Sequence, residues 1–222
     1  MTINKPYSGP SDLPKVIPVF PLSGTLLLPR GELPLNIFEP RYLEMIDDAL
    51  RGHRVIGIIQ PDAAANEAER TPALQAVGCA GRLTQFAETG DGRLVVSLTG
   101  IARFRIVDEV SAVTPYRQCR VDFSDFTADF TPREGEDAVD RDSVLRTLRA
   151  FAEANDVPVD WNSVREAPNE ALVNALSMMS PYGPREKQAL LEAPSLKTRA
   201  EVLVAITEFE LARARRDATP LQ

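Results

Sequence analysis

The chain has 222 residues, 44% hydrophobic and 26% charged, enough for one large domain or two small ones around a sizeable core. Its formal net charge of -7 weighs against general affinity for phosphate backbones or anionic lipid. Residues 1–123 carry 13 Lys+Arg against 14 Asp+Glu, a net of -1, and the remainder carry 12 against 18, a net of -6, so two halves of different character are expected.

In chain order, the polar start from Met1 to Asp12 has no apolar core of a secretory signal. Short apolar runs at Val16–Phe20, Thr25–Leu28 and Arg54–Ile59, punctuated by Pro and Gly, read as strands. Between them Pro40 suits a first helical turn. Tyr42, Met45, Ile46, Ala49 and Leu50 follow at helical spacing, and Gly52 ends the helix. Ala63–Pro72 reads as an exposed loop. Gly90-Asp91-Gly92 signals a hairpin, and the strand after it alternates, with Leu94, Val96 and Leu98 on one face. Farther along, Phe104 and Ile106 point to the core, with Arg103 and Arg105 on the other side.

Ser124–Asp142 is acidic and contains Pro and Gly, while Phe126 and Phe130 suggest that it packs down. The expected units are a β-rich part over 14–125, a linker over 126–140 and a helical part over 141–216. In the last part Ser143 is expected to cap a helix bearing Leu145, Leu148, Phe151 and Ala152. A second helix carries Leu172, Ala175, Leu176 and Met179. A break at Pro181–Pro184 leads to a short helix with Ala189, Leu190 and Leu191. Ser195 caps the longest helix, from Leu196 to about Arg216, with Arg213, Arg215 and Arg216 complementing its dipole.

No complete catalytic set is visible. His53 is the single histidine, and Cys79 and Cys119 lie in strand-like sequence as buried thiols, so neither a zinc site nor a histidine-based nucleophile assembles. No cofactor is expected, because neither a phosphate loop nor a dinucleotide turn is present. The lysines have no apolar setting suited to Ser–Lys chemistry. Glu39 is the carboxylate of most interest: it opens the first helix, where it can meet exposed N–H groups. No apolar run approaches the roughly 20 residues that span a bilayer. A cytoplasmic binding protein, with neither membrane nor nucleic acid as partner, is the expectation.

Ile17-Pro18-Val19-Phe20-Pro21-Leu22, Leu28-Pro29 and Leu33-Pro34-Leu35-Asn36-Ile37-Phe38-Glu39-Pro40-Arg41-Tyr42 resemble the N-terminal domain of Lon proteases. Gly78-Cys79-Ala80, Asp91-Gly92-Arg93 and Leu98-Thr99-Gly100-Ile101-Ala102-Arg103-Phe104 extend the likeness. Gln188-Ala189-Leu190-Leu191-Glu192 with Leu196–Ala200 carries it into the helical half, so that it spans roughly residues 14–212. Asn36 stands where His is commoner and Arg30 where Gly is frequent. The resemblance implies an α+β fold: a PUA-like pseudobarrel with one helix, then a C-terminal helical bundle. It also implies recruitment of unfolded polypeptides or a protein partner, with the family's ATPase and Ser–Lys peptidase regions lying beyond this chain. Glu39, Arg41, Tyr42 and Arg103 are the candidate binding residues; no catalytic or metal-binding residue is assigned. An ATP-independent peptidase, and a PUA-like nucleic-acid or small-ligand binder reading a basic groove through Arg82, Arg103 and Arg105, stay open as alternatives.

Overall fold

The computed structural model describes residues 6–62 and 72–217, with side chains through residue 214. The loop expected over Ala63–Pro72 (apart from Pro72) and the side chains of Arg215 and Arg216 lie outside the described residues. The fold is α+β. Six strands, β1 (Val16–Pro21), β2 (Glu32–Ile37), β3 (Val55–Ile59), β4 (Val77–Glu88), β5 (Leu94–Val110) and β6 (Arg117–Asp122), form one sheet, with α1 (Pro40–Arg51) between β2 and β3. Five further helices follow: α2 (Arg141–Ala154), α3 (Trp161–Glu166), α4 (Asn169–Met179), α5 (Pro184–Glu192) and α6 (Leu196–Asp217).

The sheet closes on itself through β5, the longest strand. Its second half pairs with β6, β6 with β1, β1 in parallel with β3, β3 with β4, and β4 returns to β5. β2 pairs only with the first half of β5 and stands outside that ring as an edge strand. Phe104 fills the ring's interior at 0% exposure, with Ile17, Val19, Ala102 and Cys119 around it. The hairpin turn matches its sequence signal, since Gly90 and Gly92 take φ of 80° and 84°, values that side chains with a Cβ resist.

Some local expectations change. Thr25–Leu28 is irregular rather than a strand, although Leu26, Leu27 and Leu28 are all buried. Asp140, not Ser143, caps α2: its carboxylate accepts the Ser143 N–H at 3.0 Å. Ser195 does cap α6, accepting the Thr198 N–H at 3.1 Å. In α4 the apolar residues expected on the helix do not all face the core. Leu172, Val173 and Ser177 face inward, while Ala175 is exposed and Met179 is 83% exposed. Residues 124–140 contain two 3-10 turns, the first (Ser124–Phe130) pressed onto β5 and the second (Glu136–Ala138) packed against α4 and α6, and they bury Phe126, Asp129, Glu136 and Val139.

Arg30 shows how β2 is launched. The Gly31 N–H donates to Leu28 O at 2.9 Å, closing a turn with Pro29 and Arg30 at its centre. Arg30 sits at φ 63°, the left-handed value that the third residue of a type II turn requires. Arg30 N–H donates to Gly100 O and Gly100 N–H to Gly31 O, both at 2.8 Å, so two residues face one across the ladder as a β-bulge. Gly100 admits no side chain, because a Cβ there would lie 2.0 Å from Leu28 O. Arg30 tolerates its conformation while its guanidinium pairs with Glu170 of α4 and donates to Asp129 O at 2.7 Å. Arg30→Ala, which keeps the backbone strain and loses the pair, is expected to be about 1 kcal/mol less stable than Arg30→Gly, which loses both. Urea unfolding of the two variants measures that difference.

Candidate functional site

The expected site residues fall into two places. Glu39, Arg41 and Tyr42 sit together where β2 turns into α1. Glu39 is the residue before the helix, but its side chain caps no backbone N–H. Its Oε2 instead accepts Arg41 Nε at 2.9 Å. The Arg41 guanidinium lies 4.5 Å from the centre of the Tyr42 ring, which rests 4.1 Å from the Phe20 ring. Tyr42 is 7% exposed, and burial raises its phenol above the ordinary value against the lowering pull of Arg41. Arg41 and Tyr42 line a pocket of about 250 Å³ with Pro21, Tyr116 and Arg117. Tyr116 donates to Asp48 at 2.7 Å and Arg117 pairs with Glu109, so the pocket's polar groups already have internal partners.

Arg103 stands apart. As expected, its side chain leaves the barrel on the face opposite Phe104, but that face is covered and Arg103 is 4% exposed. Its Nε and Nη2 donate to the two oxygens of Asp129 at 2.9 and 2.8 Å. Nη1 donates to Leu191 O at 3.1 Å and Ala193 O at 2.6 Å. With Phe126 4.6 Å beneath it, the guanidinium joins barrel, 3-10 turn and the α5–α6 connection, and its donors are committed internally. Arg105 pairs with Asp125, so no basic groove runs through Arg103 and Arg105.

A wider cleft opens between the barrel and the helices. It holds about 450 Å³ and is lined by the Pro29–Glu32 turn, Pro132, Arg133 and the outer side of α4, including Ala171, Ala175, Met178 and Met179. Its polar rim is organised: Glu170 holds Arg30 and also accepts the Arg133 N–H at 2.9 Å. Its floor is apolar, with Met178 packed so closely over Gly31 that a Cβ there would meet its sulfur at 2.3 Å. A second large apolar side chain, Phe38, lies at the far end of β2, 61% exposed, with Arg93 6.0 Å from its ring centre. The sequence places Met179 on the second helix without saying which way it faces, and Phe38 receives no role of its own there. Strand parity gives the signal for Phe38, since Ile37 points inward at 2% exposure and its neighbour must therefore point out.

Lys187 corrects the expectation that no lysine has an apolar setting, since this residue of α5 is buried. It is 3% exposed, and Nζ donates to Ser177 O at 3.0 Å and Met178 O at 2.6 Å, closing the C-terminus of α4. Burial pushes it down to about 8 from 10.5. Between those values the unfolded chain holds a proton that the folded chain has released, so this group makes stability rise with pH across that window. Buried Cys119, pushed up from 9.0 to about 11, acts oppositely, because there the unfolded chain loses its proton first. The difference in stability between wild type and Lys187→Met is therefore expected to change steadily from pH 8 to 10, with wild type gaining; urea titrations at each pH read it. Ser177, 0% exposed, gives its hydroxyl to Val173 O at 2.8 Å, so Lys187 and Ser177 act as helix-end groups closed to solvent.

Comparison with known proteins places this geometry. Residues 16–208 match the family model described as the ATP-dependent protease La (LON) substrate-binding domain. Lon protease 2 of Myxococcus xanthus is 32% identical over 111 residues, covering 50% of this chain and 13% of that protein. Lon protease of Flavobacterium johnsoniae is 26% identical over 206 residues, 90% of this chain and 25% of that protein. The chain thus spans a quarter or less of the length of these relatives. Among solved structures, the N-terminal domain of Mycobacterium avium complex Lon protease superimposes with a TM-score of 0.61 at 17% identity, covering 87% of this chain and 98% of that one. The Lon N-terminal domain protein from Xanthomonas campestris gives a TM-score of 0.57 at 22% identity, covering 86% and 97%. The matched model covers most of the chain, and the protein belongs to the LON substrate-binding domain family.

Proposed function

We propose that this protein binds unfolded polypeptide segments in the cleft between its barrel and its helices, acting as a recruiting module without catalysis of its own. The observation that carries this reading is the pairing of an apolar, methionine-lined floor with a fixed polar rim. Met178 and Met179 are unbranched and polarisable, so they adapt to varied apolar side chains, and the exposure of Met179 has no packing purpose in the monomer. The Arg30–Glu170–Arg133 rim holds the cleft open by tying the β2 turn to α4. Burial of Lys187 and Ser177 offers no support to a peptidase, and the internal pairing of Arg103 none to a nucleic-acid groove. The two buried, unpaired thiols suit a reducing compartment, and we place the protein in the cytoplasm.

A permanently unfolded test protein, reduced and carboxymethylated, is expected to bind the full chain in fluorescence anisotropy, and its native counterpart to bind far less. Met179→Glu sets a charge on the cleft floor at a position with little folding role, and is expected to weaken binding about tenfold. Equal binding by wild type and Met179→Glu would move the site elsewhere.

A further inference from the structure

Among the described residues β2 is the one strand outside the closed ring, and the polarity of its free edge can be read residue by residue. The bulge at Arg30–Gly31 fixes a bonded position opposite Gly100. In an antiparallel ladder bonded and non-bonded pairs alternate. Glu32↔Thr99, Pro34↔Ser97 and Asn36↔Val95 are therefore non-bonded pairs, and Leu33, Leu35 and Ile37 bond to β5. Pro34 agrees independently, since a residue without an N–H fits only where its nitrogen points away from the neighbouring strand. The outer edge thus presents the N–H groups of Glu32 and Asn36 and the carbonyls of Glu32, Pro34 and Asn36. Among the described residues none of these backbone groups makes a hydrogen bond.

This edge continues the cleft. Gly31 and Glu32 are cleft-lining residues, and β2 runs from there for six residues, about 20 Å at the usual rise, to exposed Phe38. On its inner face Leu33 and Leu35 are half-buried and leave apolar surface uncovered; on its outer face Glu32 and Asn36 are exposed.

We propose that the edge of β2 takes up an extended polypeptide segment as an additional strand, with the segment alternating apolar and polar residues. This rests on the polypeptide-binding reading and specifies how the segment is held. Five backbone groups supply sequence-independent hydrogen bonds. Apolar side chains of the segment lie beside Leu33 and Leu35, and polar or basic ones lie beside Glu32 and Asn36. Cleft and Phe38 flank the two ends. Pro34 breaks the run of donors and so limits indiscriminate pairing between folded copies. The occupant is a strand that has lost its own partner, which is the state of such segments in an unfolded protein.

The test uses proline as a backbone-specific probe. Glu32→Pro with Asn36→Pro removes both outward donors and none of the bonds to β5, while Glu32→Ala with Asn36→Ala removes the side chains and keeps the donors. Binding of a fluorescein-labelled octapeptide of alternating valine and lysine/threonine is expected to be tenfold or more weaker in the proline variant than in the alanine variant, whose own smaller loss reads the side-chain contacts alone. Equal affinities in the two variants overturn the edge assignment. If wild type then still binds unfolded protein and Met179→Glu still weakens it, the polypeptide-binding reading survives alone; if wild type binds neither ligand, both fail. Hydrogen exchange on wild type covers the case in which the proline variant does not fold. Peptide is expected to protect the Glu32 and Asn36 amides; unchanged exchange at saturation, or protection that instead grows with protein concentration alone, overturns the proposal.

Discussion

Replacing Arg103 with alanine is expected to destabilise the fold by about 3–5 kcal/mol, the range for removing one partner of a buried ion pair. The reason is what stays behind. Asp129 is 7% exposed, and without the guanidinium its Oδ1 loses its hydrogen bond and its Oδ2 keeps only the Arg103 backbone N–H at 2.9 Å. The carbonyls of Leu191 and Ala193 lose their donor as well. Arg103→Lys is no remedy, because one ammonium cannot reach a bidentate carboxylate and two carbonyls in different directions. Arg103→Met with Asp129→Leu, which removes both charges, is expected to recover most of the loss, and urea unfolding of the three variants measures it. If Arg103→Ala cost less than about 1 kcal/mol, the guanidinium would not be the joint between barrel and helices.

Phe104→Ala is expected to cost about 3–5 kcal/mol through cavity formation at the centre of the ring. The site also makes a sharper prediction. A Cβ on Gly57 would meet Phe104 Cζ at 2.9 Å, Ile17 Cδ1 at 3.0 Å and Phe104 Cε1 at 3.0 Å, all side-chain atoms. Gly57→Ala alone therefore overpacks the interior and is expected to destabilise by roughly 1–3 kcal/mol. In a Phe104→Leu background the two ring atoms are gone and the added methyl occupies part of the space they left. The double variant is expected to be more stable than the sum of the singles by about 1 kcal/mol, within the usual range of coupling for touching residues. Gly78→Ala should show less relief, because its Cβ would also meet backbone Ile58 O at 2.7 Å.

Much of the barrel was legible because period-two alternation and turn glycines are local signals. Phe104 inward and Arg103 outward followed from parity alone. What covers the outward face depends on residues 26 to 90 positions away in sequence, Asp129, Leu191 and Ala193, which no local pattern names. The same limit explains α4. Its apolar residues are spread widely enough to allow two stripes, and only the packing of Asn174, which donates to Pro29 O at 3.2 Å and accepts from Arg199 at 3.1 Å, selects the face that leaves Met179 outside. The I-F-E-P-R-Y block identified the family, yet most of its members prove to build the strand-to-helix corner: Ile37 in the core, Pro40 in the first turn, and Arg41 between Glu39 and the Tyr42 ring. Phe38 is the one large apolar member turned out to solvent, with Arg93 over its ring. Arg30 departs from the family's glycine in sequence, but its positive φ and its tie to Glu170, 140 positions away, have no local signal.

The methionine methyl spectrum tests the central claim most directly. The chain has four methionines, Met1, Met45, Met178 and Met179, and Met45 at 0% exposure is an internal control. With carbon-13-labelled methyl groups, titration with an unfolded polypeptide should shift and broaden Met179 and Met178 while leaving Met45 in place. Saturating binding with the Met178 and Met179 signals unmoved would contradict a polypeptide site in the cleft.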